Sequence, residues 1–169
     1  MLDGTATRTR TTQSPPAALK FKETLFWGDR ITTTRHSLVR MLLLDKSVLT
    51  MHELTGLTIT QEGTILTLAL RSGKITYAVA RERMQPSDIH EIRTPNATAR
   101  LSGTVVIVEV EPRSAEGDGA PVVAVTKICT RNGAVFASVV GSPPVQLGPN
   151  QGITIRGNLL GPIRRCPAP

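Results

Sequence analysis

Short segments in which every second side chain is aliphatic set the strongest limit on how this chain folds. Leu66, Leu68 and Leu70 form one such series, and Ile75 and Val79 belong to the next. A two-residue period places alternate side chains on one face of a strand, so each series predicts a strand with one buried face. Similar apolar, β-branched segments occupy residues 38–44, 47–51, 57–60, 64–70, 75–80, 104–110, 122–129, 134–140, 145–147 and 152–156.

Glycine- and proline-containing breakers separate these segments, as turns separate strands. Asn132-Gly133 predicts a hairpin turn, because both residues tolerate a positive φ. Residues 114–121 predict a flexible loop, and residues 81–87 predict no more than one helical turn. Many short strands with almost no helix predict an all-β fold of mainly antiparallel strands, arranged as a roll, a sandwich or an irregular β-solenoid.

The chain divides into three parts by composition. Its 169 residues suit one domain, which we assign to residues 19–156. Residues 1–18 lack apolar periodicity and predict a disordered arm, and residues 157–169 predict a loose, basic tail rich in proline and glycine. Neither an apolar leader segment nor a run of about 18 apolar residues occurs, so no membrane span is expected.

The net charge of +7 raises the question of nucleic-acid binding. The excess lies in residues 1–40 and 153–169, whereas residues 41–152 carry equal numbers of basic and acidic side chains. A nucleic-acid domain usually concentrates its charge on a folded face. We therefore interpret the basic ends as solvated, with weak binding to anionic lipid, polysaccharide or nucleic acid as an alternative.

Aromatic residues make up only 3% of the chain, so the core is predicted to be aliphatic. They are too few for a platform that stacks bases or sugars. Exposed threonines such as Thr58, Thr60 and Thr67 are compatible with glycan binding, but they equally fit the plain outer face of a sheet.

No pattern of catalytic or metal-binding residues is found, and no cofactor is expected. His36, His52 and His90 lie in three separate segments and are interpreted as surface or turn residues. Asp88, His90 and Glu91 are close in sequence, but no candidate nucleophile lies beside them. Cys129 is interpreted as a small core residue, and its pairing with Cys166 is left open.

Three groups of turn-forming residues follow one another between residues 19 and 156 in an order typical of one family. They are Gly28-Asp29 with Thr33, Asp45 and Ser47; Thr94-Pro95 with Gly103-Thr104; and Gly133 with Gln151-Gly152. Together they resemble the FecR (ferric-citrate regulator) domain of bacterial envelope proteins. Every one of these positions fits a turn, a corner or the core, so the shared residues are interpreted as structural.

The chain departs from the family pattern at three points. Lys46 stands where the family usually has glycine, which predicts a different turn there. Leu101-Ser102 replaces the usual Val-Arg. The opening pair of strands of the family is expected to be missing, which would leave an open sheet edge.

The resemblance implies a non-catalytic module for sensing or protein interaction, periplasmic or extracellular, with a protein partner or small ligand that the sequence does not identify. Pairing at the open sheet edge is the predicted binding mode. One alternative is a structural protein that self-associates through that edge into a fibre or surface layer. Another is polyanion binding through the basic ends, and such binding would weaken steeply with salt.

Overall fold

The structure, a computed structural model, describes residues 1–10, 15–111 and 123–168, which form an almost entirely β fold, as predicted. The predicted loop at 114–121 lies outside the described residues. Within the described residues, no helix has the length and apolar character needed to cross a bilayer.

The elements are β1 (Leu2–Asp3), β2 (Ala6–Thr9), β3 (Ala17–Ala18), β4 (Arg30–Thr33), β5 (Leu38–Leu42), β6 (Val48–Met51), β7 (Gly56–Glu62), β8 (Ile65–Ala78), a 3₁₀ helix (Arg81–Arg83), β9 (Ile89–Arg93), β10 (Thr98–Val110), β11 (Val125–Ser138), β12 (Val145–Leu147), β13 (Gln151–Arg156), β14 (Leu159–Leu160) and β15 (Arg164–Arg165).

The strands form one continuous, open sheet whose three longest members, β8, β10 and β11, each take part in two different groups of neighbours. We call these groups the first and second layers. The first contains β2, β3, β4, β7, β9 and β12 with one half of each long strand, and the second contains β1, β5, β6, β13, β14 and β15 with the other halves. All pairs are antiparallel except β8 with β9. The buried side chains of both layers form one hydrophobic cluster.

Each long strand changes its inward-facing positions at a glycine of positive φ. In β8 the buried residues are even-numbered up to Leu70 and odd-numbered from Ile75, with Gly73 between them at φ 90°. The same change occurs at Gly103 in β10 and at Gly133 in β11, with φ of 54° and 72°. Glycine adopts this conformation without steric cost, and an irregularity there resets the two-residue alternation. The three glycines therefore mark the corners at which the chain passes from one layer to the other.

The corner at Gly133 corrects the predicted hairpin at Asn132-Gly133. Both residues lie inside β11, which continues to Ser138 and pairs with β10 on both sides of the corner. Gly133 has a positive φ, but here it serves a bend within one strand instead of a reversal between two. Asn132, which would also need a positive φ in the predicted hairpin turn, is not among the positive-φ residues.

The core is aliphatic, as predicted. Tyr77 is the one aromatic residue among the buried side chains of the described chain. Phe21, Phe26, Trp27 and Phe136 are exposed, by 64%, 57%, 45% and 41%. Most of the few large aromatic side chains therefore lie where they can contact other molecules.

Both ends contain short paired strands, whereas a disordered arm was predicted for residues 1–18 and a loose, basic tail for residues 157–169. Within residues 1–18, β1 pairs with β5, and β2 pairs with both β4 and β3; residues 11–14 lie outside the described part. These strands cover the edge that was predicted to be open. In the tail, β14 and β15 pair with β13, and a Cys129–Cys166 disulfide holds the chain there. Such short strands carry no periodicity of their own, so composition alone misassigned them.

Candidate interaction surface

The family-like residues Asp45 and Ser47 belong to a polar network that joins the two layers. The Asp45 carboxylate accepts hydrogen bonds from the Ser47 backbone N–H (2.9 Å) and hydroxyl (3.0 Å). His90 of β9 places Nε2 3.2 Å from the same carboxylate and Nδ1 2.8 Å from the Tyr77 hydroxyl. A neutral imidazole with its proton on Nε2 satisfies both contacts.

His90 was predicted to be a surface or turn residue, and that interpretation is wrong. Its side chain is buried, and burial lowers its pKa from 6.5 although Asp45 and Asp88 act in the opposite direction. Burial likewise raises the pKa of Tyr77 above its usual range. Neither partner of His90 is near it in sequence, so local spacing gave no signal of the contact.

Lys46 adopts a φ of 68°, a conformation that glycine adopts more readily than other residues. The turn is closed by hydrogen bonds from Lys46 N to Leu43 O (3.0 Å) and from Leu43 N to Ser47 O (2.9 Å). The turn therefore holds a non-glycine residue in a conformation that its side chain disfavours.

The turn at Gly28-Asp29 fixes the segment that precedes β4. Asp29 is buried, and its carboxylate accepts hydrogen bonds from Phe26 N (2.9 Å) and Arg10 Nε (3.2 Å). Gly28 N donates to Ile59 O (2.7 Å), and the Arg10 guanidinium lies 4.6 Å from the centre of the Phe26 ring. This turn therefore positions Phe26 and Trp27 while leaving their rings exposed.

These rings form part of what we call the aromatic groove, an open cavity of about 590 Å³ between residues 19–27 and 39–44. Its exposed apolar members include Phe21, Phe26 and Trp27, together with Leu42 (66% exposed) and Leu44 (86% exposed). A cluster of large exposed apolar side chains is uncommon on a monomer and typically marks a binding surface.

The rim of the aromatic groove is basic. Lys20, Lys22 and Arg40 line it and are exposed. The single acidic side chain among its described lining residues, Glu23, is already bound by the Lys20 backbone N–H (2.9 Å) and by Arg8 (2.6 Å), and these contacts lower its pKa. The groove therefore presents apolar surface beside positive charge.

The remaining family-like residues hold corners and turns. Thr33 donates to His52 O (2.6 Å) and accepts from Thr55 N (3.0 Å), and the Thr104 hydroxyl donates to Asn132 O. Gln151 accepts from Gly148 N (2.7 Å) within its own turn. Pro95 is exposed beside Thr94, and Gly152 packs tightly against Ile128 O and the sulfur of Cys166.

Asn96, which sequence reasoning did not single out, connects the turn before β10 to β11, β13 and the residues that flank them. Its amide donates to the carbonyl oxygens of Ala124 (3.0 Å), Ile155 (3.2 Å) and Gly157 (3.1 Å), and its side-chain oxygen accepts from Thr126 (2.6 Å). Thr94 closes the network with a 2.8 Å contact to the Thr126 hydroxyl. In the sequence, the one indication of this role is the position of Asn96 directly after the family-like pair Thr94-Pro95.

The Asp88, His90 and Glu91 cluster is divided in space. Asp88 accepts from Gln85 N (2.8 Å) in a local turn, while His90 contacts Asp45 and Tyr77. Glu91 is buried and forms ion pairs with Arg93 (2.7 Å) and Arg100 (3.7 Å). No group of three metal-ligating side chains is present in the described residues.

Two solved structures of a protein described as a candidate anti-sigma factor from Parabacteroides distasonis ATCC 8503 have a similar fold, with TM-scores of 0.63 and 0.64. In both, sequence identity is 17%, and the match covers 81% of this chain. The chain spans 59% of the length of those proteins, and the likeness is one of fold alone. No protein of curated function matches the sequence. The family model described as FecR protein matches residues 29–127, more than half of the sequence, and the chain therefore belongs to the FecR family.

Proposed function

We propose that this chain is a non-catalytic regulatory module of the bacterial envelope that works by binding a protein partner through the aromatic groove. The observation that carries the proposal is the exposure of Phe21, Phe26 and Trp27 around one cavity, beside Leu42 and Leu44. Membership of the FecR family supports a role in sensing or signalling, and the anti-sigma-factor description of the structural neighbours points the same way.

The energetics of aromatic side chains favour a protein partner. Complete burial of a Phe or Trp covers roughly 150–250 Å², and a partner would cover the 45–64% of each of these side chains that is exposed here. Such residues supply much of the binding energy in protein interfaces. The hydrogen bond from Phe26 N to Asp29 fixes the backbone of the segment before the partner arrives. Preorganisation of this kind reduces the conformational entropy lost on binding.

The absence of catalysis is supported by what the titratable groups already contact. His90 is held between Asp45 and Tyr77, and Glu91 is neutralised by Arg93 and Arg100. A general acid or base needs access to a substrate, and these buried side chains face other protein groups. Their arrangement suits a structural role.

Site-specific photo-crosslinking in the native bacterium tests the proposal. A photoreactive phenylalanine analogue replaces Trp27 in the full-length gene product, and the matched control carries it at Phe136, an exposed aromatic outside the groove. We expect a defined protein adduct from position 27 alone, and its loss when Leu44→Glu is added. Equal adducts from both positions, or none from position 27, would overturn the proposal.

Light scattering of the purified chain distinguishes a foreign partner from a second copy. We expect the mass of one chain at all concentrations, because the strands β2 and β3 cover the edge that was expected to be open. A dimer that Leu44→Glu dissociates would instead assign the groove to self-association.

A further inference from the structure

A second cavity, of about 850 Å³, lies between the outer face of the second layer and the last residues of the chain. We call it the basic cleft, and we call residues 159–168 the strap. The strap is held to the sheet by the Cys129–Cys166 disulfide and by hydrogen bonds from Gly161 N to Thr154 O (3.0 Å) and from Cys166 N to Asn150 O (2.8 Å). The cleft is therefore a built feature of the fold, formed by two elements that are fixed to each other.

The charge of the basic cleft is strongly positive. Four arginines line it, Arg131, Arg156, Arg164 and Arg165, together with Lys74 and Lys127. Glu109 is the acidic residue among its described lining positions, and it pairs in register with both lysines on the neighbouring strands. Lys127 also forms a 2.8 Å ion pair with Glu111, which raises the pKa of Lys127.

The four arginines keep their charge available for a ligand. Within the described ranges, none of them has a carboxylate oxygen within 4.0 Å. Arg131 donates to Pro167 O (2.8 Å), a neutral acceptor. Guanidinium groups bind phosphate through paired hydrogen bonds, and several of them on one rim match the charge of a phosphate group.

Apolar side chains lie beside these arginines. Leu159 is 75% exposed, and Leu160, Ile107 and Pro162 line the same cavity. Arg156 pairs in register with Leu159, so charge and apolar surface alternate over a few ångströms. A free inorganic anion would leave this apolar surface in water, whereas a ligand with an apolar body would cover it.

We propose that the basic cleft binds a phosphate-bearing amphiphile. The phosphate lies against Arg156, Arg164 and Arg165, and the apolar body lies along Leu159, Leu160 and Ile107. This site uses residues separate from the aromatic groove and does not depend on the function proposed for that groove. It also gives the basic C-terminal segment a specific role in place of general solubility.

Calorimetric titration of the full chain with monomeric dihexanoyl phosphatidic acid tests the proposal. We expect saturable binding, with inorganic phosphate and dihexanoyl phosphatidylcholine each at least about tenfold weaker. Inorganic phosphate lacks the apolar body, and the phosphate of phosphatidylcholine is a diester whose negative charge the choline cation neutralises. The titration with inorganic phosphate shows whether the cleft binds a free anion or requires a lipid headgroup with its apolar chains. If inorganic phosphate binds as tightly as the amphiphile, the proposed contact between the apolar body and the apolar side chains of the cleft is wrong.

Two charge-matched double variants provide the control. Arg156→Ser with Arg164→Ser should weaken binding by about tenfold or more, since two charged hydrogen-bond donors are lost. Arg35→Ser with Arg83→Ser removes the same charge from exposed positions outside the cleft and should change affinity by less than about twofold. Far-ultraviolet circular dichroism checks that all variants fold. Equal losses in both pairs, or no saturable binding by the unmodified chain, would overturn the proposed site.

Discussion

The carbonyl oxygen of Gly103 lies 2.5 Å from the point at which a β-carbon on Gly133 would stand. Two corners of the sheet thus meet at backbone contact distance. We expect Gly133→Ala to lower the free energy of unfolding by about 3 kcal/mol or more, because a strained φ is added to a clash with backbone. Urea denaturation followed by circular dichroism measures the change.

Gly63→Ala is the matched control for this effect. Gly63 has a φ of 59°, but nothing lies within 4 Å of its β-carbon position. Its substitution should cost only about 1 kcal/mol, from backbone strain alone. Equal losses at the two glycines would show that the contact between the corners has no energetic importance.

Lys46→Gly should stabilise the protein by about 1 kcal/mol. Lys46 occupies a left-handed conformation that a side chain disfavours, and glycine removes that penalty. Lys20→Gly serves as the comparison, because Lys20 is exposed but is not among the positive-φ residues, and there glycine should be neutral or destabilising. A midpoint in urea that falls for Lys46→Gly would contradict the prediction.

The fold should lose stability as the pH falls below about 6.5. Burial holds the pKa of His90 below 6.5 in the folded protein, so the unfolded chain binds its proton more readily. The contribution is fully present above that pH and is lost as the pH falls through the folded-state value. His52, whose pKa burial also lowers, acts in the same direction. Melting temperatures between pH 7.5 and 5 measure the trend.

His90→Gln should flatten this pH dependence, because the substitution removes the buried imidazole whose protonation the folded state disfavours. Parallel curves for the unmodified chain and His90→Gln would show that protonation of His90 does not affect stability in this range.

Asn96→Ala should lower the free energy of unfolding by about 2 kcal/mol. The substitution removes an amide that three carbonyl oxygens share, and it takes an acceptor from Thr126. Asn158→Ala, at an exposed position, should change stability by less than about 0.5 kcal/mol. Thermal unfolding of the two variants under the same conditions measures the difference between these stability losses.

Reduction of the Cys129–Cys166 disulfide should loosen the strap, which contains β14 and β15, before it affects the other strands of either layer. Hydrogen exchange should speed up at Gly161 and Cys166, whose amides bond to Thr154 and Asn150, while the amide of Val79 keeps its protection. The strap amides depend on a few local contacts, whereas β8, β10, β11 and β13 pair with one another along longer stretches. Uniform loss of protection throughout the chain would show that the disulfide supports the whole fold.

The two-residue period predicted the strand content well, because burial of one sheet face is a local property of the sequence. Leu66, Leu68 and Leu70 are buried as the pattern indicated, and so are Ile75 and Val79. The pattern did not reveal that both series belong to one bent strand. Gly73 predicts a break whether it separates two strands or lies within one bent strand. The pairing of β8 with β7 before Gly73 and with β6 after it distinguishes these two arrangements.

The polar network and the aromatic groove were harder to predict, since both depend on residues distant in sequence. The contact between Asp45 and His90 spans two layers, and nothing near either residue indicates it. The composition shows how few aromatic residues the chain has, but not that Phe26 and Trp27 are exposed beside a turn that Asp29 fixes through its hydrogen bond to Phe26 N. Short pairing segments such as β1 and β15 are stabilised by their neighbours and not by their own composition.

The glycine corners also restrict which length changes this fold can tolerate. Because each of β8, β10 and β11 contributes to both layers, deleting one residue at a corner would leave one half in register and turn the side chains of the other half inside out. Insertions and deletions in related chains should therefore collect in the connections between strands and avoid Gly73, Gly103 and Gly133. Because both layers share these three strands, no continuous stretch of sequence encodes one layer alone. One layer therefore cannot be duplicated or exchanged as a unit.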